Sequence, residues 1–139
     1  MKKINIQDMM KELFGNSCLS YTYAYLGEVK RNIEPDIHTL TNDVLNGWNN
    51  SWIDDDGFVS KPVQYLKSVG ITIRDIRKPK ITKLSELPEG LWAVEYKKKP
   101  EDKASHFVVA DRKHIVFDPS GDSVTCKVGQ PVSYREFII

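Results

Sequence analysis

The chain has 139 residues, of which 40% are apolar, and its formal net charge at pH 7 is +1. This length and composition predict one domain over residues 1–139 with a single hydrophobic core, and the near-neutral charge excludes a broad basic surface for nucleic acid. No segment approaches the ~20 consecutive apolar residues of a membrane-spanning helix, and charged residues interrupt the N-terminal stretch that a secretory signal would need, so we expect a soluble, cytoplasmic protein that binds no membrane.

The first half of the chain is predicted to be helical. Apolar residues recur at helical spacing in the segments 4–13, 18–26, 37–48 and 61–68. Gly15, Gly27 and Gly70 are placed to end three of these helices. The helix that begins at Cys18 is apolar on most faces, so we expect it at the centre of the fold. The loop over residues 49–57, rich in asparagine and aspartate, separates the last two helices.

The second half of the chain is predicted to form strands. Apolar or alternating runs bounded by turn residues occupy the segments 71–76, 91–96, 105–111, 115–117, 123–127 and 134–138. Helices followed by antiparallel strands predict an α+β domain. In it, N-terminal helices precede a C-terminal antiparallel sheet, and the helix that carries Cys18 packs across that sheet.

Cys18 is the candidate nucleophile. It follows the good N-cap residues Asn16 and Ser17, and the N–H groups and dipole at a helix N-terminus favour a thiolate. Two cysteines are too few for a disulfide framework in a chain of this length. We interpret Cys18 as a reduced thiol and Cys126, in a predicted strand, as structural, with a single bridge between them as the alternative.

His106, at the start of a predicted strand, is the first candidate for the base that activates the thiol. His114 lies at a predicted hairpin turn and His38 near a helix start, and both are expected to be ordinary exposed residues. An imidazole in this role needs a partner for its other nitrogen. Asp118, at the end of the strand after His106, is the best candidate, whereas Asp111 is expected to mark the turn between the two strands.

The third requirement of acyl chemistry is an oxyanion hole. The backbone N–H of Cys18 supplies one donor, and the side-chain amide of either Gln7 or Asn16 is the candidate for the second. We expect no metal or organic cofactor, because the three histidines have no second cysteine or carboxylate at zinc-ligand spacing. The acidic segment 54–56 lacks the ligand pattern of an EF-hand loop and is interpreted as a solvated turn.

Several segments in this order resemble the C39-like family of papain-superfamily cysteine peptidases: CLSYTYAYLG (18–27), YLKSVGI (65–71), LWAV (91–94), HFVV (106–109) and VFDPSG (116–121). The resemblance implies a papain-like fold with Cys18 as nucleophile, His106 as general base and acid, and Asp118 as the residue that orients it. The chain departs from the family at Leu19, where members have glycine, and at Glu12, where they have glutamine.

These observations predict a papain-like thiol hydrolase that cleaves a peptide, isopeptide or related amide bond in a peptide or protein substrate. One alternative is a transglutaminase-like acyl transferase with the same three residues. The other is an inactive papain-like binding module, with Trp48, Trp52 and the segment 54–56 as contacts. The sequence carries no signal for an oligomeric state.

Overall fold

The computed structural model describes residues 17–121 and 123–139. The predicted helix over residues 4–13, with Gln7 and Glu12, lies outside these residues, as does Asn16. The first part of the described chain forms three helices: α1 (Cys18–Lys30), α2 (Ile37–Asn49) and α3 (Pro62–Ser68). The rest forms β1 (Asp75–Arg77), a 3-10 helix (Leu84–Glu86), β2 (Trp92–Lys97), β3 (His106–Ala110), β4 (Ile115–Phe117), α4 (Val124–Val128), β5 (Gln130–Tyr134) and β6 (Glu136–Ile138).

The described strands form two antiparallel sheets. One has the strand order β4-β3-β2-β5, and the other pairs β1 with β6. All five residues of β3 are buried, and α1 packs across β3 and β2 and against α2. Tyr21 and Ala24 of α1, Leu40 of α2 and Val109 of β3 meet in the largest buried apolar cluster. Helices followed by an antiparallel sheet confirm the predicted α+β class.

Gly27 does not end α1, contrary to the prediction. It is instead the residue at which α1 packs closely against Val69. A Cβ atom at this position would lie 2.4 Å from the carbonyl oxygen of Val69 and 2.6 Å from its Cβ. The missing side chain lets α1 pass close to the C-terminal end of α3, and α1 continues to Lys30. Tyr65 ties the same two helices together, since its hydroxyl donates to the carbonyl of Ser20 at 2.9 Å.

The predicted strand over residues 123–127 is wrong, since this segment forms α4. The N–H of Lys127 donates to the carbonyl of Ser123, and the N–H of Gly129 donates to that of Thr125. Val124, within the predicted strand, and Val128, the last residue of α4, are 60% and 66% exposed. Their β-branched side chains therefore contribute little to the core, and local hydrogen bonds decide the conformation.

Two other predicted strands differ in their extent. The segment 71–76 becomes regular only at Asp75, where pairing with β6 begins; Ile71 and Ile73 are buried before that point without a ladder partner in the described strands. The segment 134–138 is divided at Arg135, whose N–H donates to the carbonyl of Ala93. The break lets the chain leave one sheet as β5 and enter the other as β6.

None of the described helices is long and apolar enough to cross a membrane.

Candidate active site

The contact between His106 and Asp118 forms the centre of the site. Nε2 of His106 lies 2.7 Å from Oδ1 of Asp118, and both side chains are 10% exposed. His106 is the first residue of β3, and Asp118 directly follows β4. The antiparallel pairing of these strands, with Val109 opposite Phe117, brings the two side chains together.

Asp118 is held in place by the turn that follows it. Its Oδ1 accepts the N–H of Ser120 at 2.9 Å, and its Oδ2 accepts the N–H of Ser123 at 3.1 Å. Burial acts to raise the pKa of Asp118, but the hydrogen bonds from His106 and from the two backbone amides outweigh it and hold that pKa below its ordinary value. The side chain is therefore a carboxylate at neutral pH, and it holds the imidazole ring of His106 at the Nε2 nitrogen.

His106 also makes a side-chain hydrogen bond with Cys18. Since Nε2 is engaged by Asp118, Nδ1 is the ring nitrogen left for the sulfur atom. Burial alone lowers the pKa of His106, but the hydrogen bonds to Asp118 and Cys18 and the negative charges of both raise it to about 9. The ring is thus an imidazolium at neutral pH, with the carboxylate of Asp118 at one ring nitrogen and the sulfur of Cys18 at the other.

Cys18 is the first residue of α1 and is 6% exposed. Its carbonyl accepts a hydrogen bond from the hydroxyl of Thr22 at 2.8 Å, within the first turns of the helix. The 13 residues of α1 are enough for a macrodipole whose positive end lies at the sulfur. The N-terminus of α1 and the imidazolium of His106 therefore both place positive charge beside the Cys18 sulfur.

A cavity of about 340 Å³ opens beside Cys18. Its walls are mostly apolar and come from the start of α1, the loop before α3, and the segment that leads into β3. They comprise Cys18, Leu19, Phe58, Val59, Lys103, Ala104, Ser105 and Phe107. Phe58 is 54% exposed, so a large aromatic surface faces solvent next to the thiol.

Leu19, the residue after Cys18, lines two cavities. Together with Val59 it lines the cavity beside Cys18 and a second one of about 280 Å³ that extends to Lys78 and Arg135. Its side chain is also packed against the apolar core. The Leu19 side chain therefore forms part of the wall of the cavity beside the candidate nucleophile.

A buried polar network supports the start of β3. The guanidinium of Arg135 lies 4.7 Å from the ring centre of Phe107 and donates to the hydroxyl of Ser133 at 3.0 Å. That hydroxyl donates in turn to Glu95 at 2.8 Å. Through the contact with Arg135, the network holds Phe107, the residue after the candidate base, in its position in the cavity wall.

Cys126 also belongs to the site, although no spacing in the sequence indicates it. Its sulfur, a ring nitrogen of His106 and a carboxylate oxygen of Asp118 all lie within 4.8 Å of one another. Burial and the nearby charges of Asp118 and Cys18 raise the pKa of Cys126 to about 11, against a smaller lowering by a hydrogen bond with Ser123. The three side chains come from α4, β3 and the end of β4, and they are the described residues with the donor types to hold a metal ion here.

The remaining histidines lie elsewhere. His114 is exposed at the turn between β3 and β4, with Nδ1 3.3 Å from Asp111. Asp111 accepts the N–H groups of Lys113 and His114, as expected of a turn residue. His38 is exposed in the first turn of α2.

The acidic segment 54–56 forms a turn on the surface. Oδ1 of Asp54 accepts the N–H groups of Asp56 and Phe58, each at 3.0 Å. The indole of Trp48 donates to Asp55 at 3.2 Å, and Trp52 packs against the core. Both tryptophans are thus engaged within the chain.

Comparison of the chain with protein-family models, with curated proteins and with solved structures finds no match.

Proposed function

We propose that the chain is a papain-like thiol hydrolase that cleaves a peptide, isopeptide or related amide bond through Cys18, His106 and Asp118. The observation that carries the proposal is the 2.7 Å contact between His106 Nε2 and Asp118, with Cys18 hydrogen-bonded to the same ring. A nucleophile, a base beside it and an oriented carboxylate behind that base are the arrangement that covalent acyl transfer requires.

In the first half of the reaction, the Cys18 thiolate attacks the substrate carbonyl carbon and the carbonyl electrons move onto oxygen. The N–H of Cys18 at the start of α1 donates to that oxyanion. When the tetrahedral intermediate collapses, the C–N bond breaks and the His106 imidazolium gives its Nδ1 proton to the departing amine. The product of this half-reaction is a thioester on Cys18.

In the second half, neutral His106 takes a proton from water, and the resulting hydroxide attacks the thioester carbonyl. The C–S bond breaks, the acid leaves, and Cys18 returns as a thiolate beside the His106 imidazolium. Asp118 keeps Nδ1 directed at the sulfur through both halves, because its own oxygens are fixed by the amides of Ser120 and Ser123.

The cavity beside Cys18 favours an apolar side chain next to the scissile bond. Phe58, Val59 and Phe107 supply aromatic and aliphatic surface within reach of the sulfur, and Lys103 is the charged residue among the lining side chains. An aliphatic or aromatic substrate residue that binds there would gain about 25 cal/mol of binding free energy for each Å² of apolar surface that it buries. We therefore expect peptides with such a residue beside the cleaved bond to be preferred.

The acyl-transfer alternative uses the same thioester with an amine in place of water. No contact of the described residues favours an amine over water, so the two are separated by products. The inactive binding module is a second alternative, since Trp48 is 37% exposed and the acidic segment 54–56 lies on the surface, whereas Trp52 packs against the core. Hydrolysis is the leading proposal because water is always present as an acceptor for the thioester, and the reaction products separate it from acyl transfer.

The test compares the two cysteines of the same molecule as alkylation targets. At about pH 6 to 7, iodoacetamide should modify Cys18 much faster than Cys126, because only a thiolate reacts and an adjacent imidazolium favours that form. Peptide mapping by mass spectrometry measures both rates in one sample, so Cys126 is an internal control for folding and reagent.

Turnover is then measured with peptide libraries that carry apolar residues at each position. Wild-type protein and Cys126→Ala should release new amino termini, whereas Cys18→Ala should not. Equal alkylation of both cysteines, or cleavage that survives in Cys18→Ala, would contradict the proposal. Added primary amine that appears in the product would instead identify an acyl transferase.

A further inference from the structure

Cys126 takes no part in the proposed reaction, yet its sulfur lies close to both His106 and Asp118. Its sulfur lies within 4.8 Å of a donor atom on each of the other two residues. Thiolate, imidazole and carboxylate are the three side-chain ligands of zinc in proteins. One of each, on three separate elements, converges on the same space.

We propose that Cys126, His106 and Asp118 form a binding site for Zn²⁺. A bound ion would hold His106 as a metal ligand, so that it could no longer act as the base for Cys18. Three protein ligands leave the fourth tetrahedral position to water. This inference goes beyond the proposed function, and zinc binding itself requires no turnover.

The geometry requires only small movements. Zinc bonds of about 2.0 Å to nitrogen and oxygen and about 2.3 Å to sulfur, at tetrahedral angles, place ligand atoms roughly 3.3 to 3.5 Å apart. The 2.7 Å between His106 Nε2 and Asp118 Oδ1 therefore has to widen slightly, while the sulfur of Cys126 approaches. The helix that carries Cys126 can supply that approach, since none of its five residues is buried and Val124 and Val128 at its ends are exposed.

The surrounding contacts orient the ligands as a metal site requires. Asp118 is fixed by the backbone amides of Ser120 and Ser123, so it does not have to be ordered by the ion. His106 has a second partner in Cys18 at its other ring nitrogen. A hydrogen bond at the far nitrogen is the usual support of a zinc-bound imidazole, because it sets the tautomer and the ring orientation.

Zinc at Nε2 has a direct consequence for the thiol. The ion replaces the Nε2 proton and keeps the remaining ring proton on Nδ1, beside Cys18. The ring then has no free electron pair with which to take a proton from water, and Asp118 is bonded to the metal. If the chain is a hydrolase, as proposed above, zinc should inhibit it reversibly and a chelator should restore activity.

The decisive measurement is metal affinity without any substrate. Zinc is titrated in competition with a chromophoric chelator into wild-type protein, Cys126→Ala, Cys18→Ser and the matched control Thr125→Ala, which changes the neighbouring residue of the same helix. Cys126→Ala should bind zinc at least about 100-fold more weakly. Loss of a residue that only hydrogen-bonds to a metal ligand already lowers metal affinity about 10- to 100-fold, and Cys126 would be a ligand itself. Cys18→Ser retains a hydrogen-bond acceptor for Nδ1 and should bind like wild type, as should Thr125→Ala.

Cobalt(II) provides a second measurement that does not depend on affinity. A sulfur-to-cobalt charge-transfer band should appear in wild-type protein and in Cys18→Ser, and it should be absent from Cys126→Ala. The opposite result, with the band lost in Cys18→Ser and kept in Cys126→Ala, would put the metal between Cys18 and His106 and overturn the assignment. Wild-type protein that binds no zinc at micromolar concentration would overturn it as well, and neither result would bear on hydrolysis.

Discussion

Replacement of Asp118 by asparagine tests the charge balance on which the proposed site depends. Asparagine keeps the shape of the side chain and one oxygen acceptor, but it removes the negative charge beside Nε2 of His106. The hydrogen bond and charge of Asp118 are among the causes that raise the pKa of His106 to about 9, and burial opposes them. In the variant we therefore expect that pKa to fall towards its ordinary value of 6.5.

The size of the effect on stability follows from linkage. A histidine with a pKa of about 9 in the folded chain and 6.5 in the unfolded chain adds stability that is complete below pH 6.5 and is lost as the pH rises to about 9. At about 1.4 kcal/mol per pH unit, the whole contribution is on the order of 3 kcal/mol. The lowered pKa of Asp118 acts in the other direction, because its contribution is present above its ordinary value of 3.8 and is lost only at more acidic pH.

Urea unfolding at a series of pH values, together with an NMR titration of the His106 ring, measures both quantities. Wild-type protein should lose unfolding free energy on the order of 3 kcal/mol between about pH 6 and 9.5, and Asp118→Asn should lack most of that decline. Asp111→Asn is the matched control, since it alters a 31% exposed carboxylate that lies 3.3 Å from His114 rather than beside His106, and it should leave the pH dependence unchanged. A wild-type His106 that titrates near 6.5, or a variant with the wild-type pH profile, would refute the reasoning.

Three other substitutions test the packing around the site. Gly27→Ala would place a Cβ 2.4 Å from the Val69 carbonyl oxygen, so we expect the free energy of unfolding in urea to fall by about 1–3 kcal/mol. An unchanged midpoint would mean that α1 and α3 can move apart without loss of stability. Tyr65→Phe removes the buried 2.9 Å hydrogen bond to the Ser20 carbonyl and should cost about 1–2 kcal/mol in the same assay, and no loss would show that another donor reaches that carbonyl. Phe58→Ala should raise KM for peptides with an apolar residue beside the scissile bond without slowing alkylation of the thiol, whereas slowed alkylation would indicate a disturbed site rather than a lost contact.

The three proposed catalytic residues could be predicted because each lies where a recognisable element begins or ends. Cys18 opens a helix, His106 opens a buried strand, and Asp118 closes the strand paired with it. A hairpin joins the last two, so their proximity follows from short-range pairing. The antiparallel sheet and the central position of α1 follow equally from apolar periodicity.

Features that depend on distant contacts could not be predicted in this way. Gly27 resembles a helix terminator in the sequence, and only the approach of Val69 shows that it is a packing residue. Cys126 lies in the segment 123–127, which the sequence predicts as a strand, whereas residues 124–128 form a short helix stabilised by local hydrogen bonds. Its place beside His106 depends on the path of the chain after Asp118, for which the sequence has no periodic signal.

The turn after β4 couples the orientation of His106, the proposed base, to the order of the local backbone. The carboxylate of Asp118 accepts the amides of Ser120 and Ser123 and also holds His106, so an opening of this turn releases the ring and exposes both amides at the same time. Hydrogen exchange at these two amides would therefore report the fraction of time for which the base is unaligned, while β3, buried throughout, stays protected. Exchange at the amides of Ser120 and Ser123 thus measures the fraction of molecules in which the turn is open, and the closed fraction is the upper limit for molecules in which His106 is aligned for the proposed reaction.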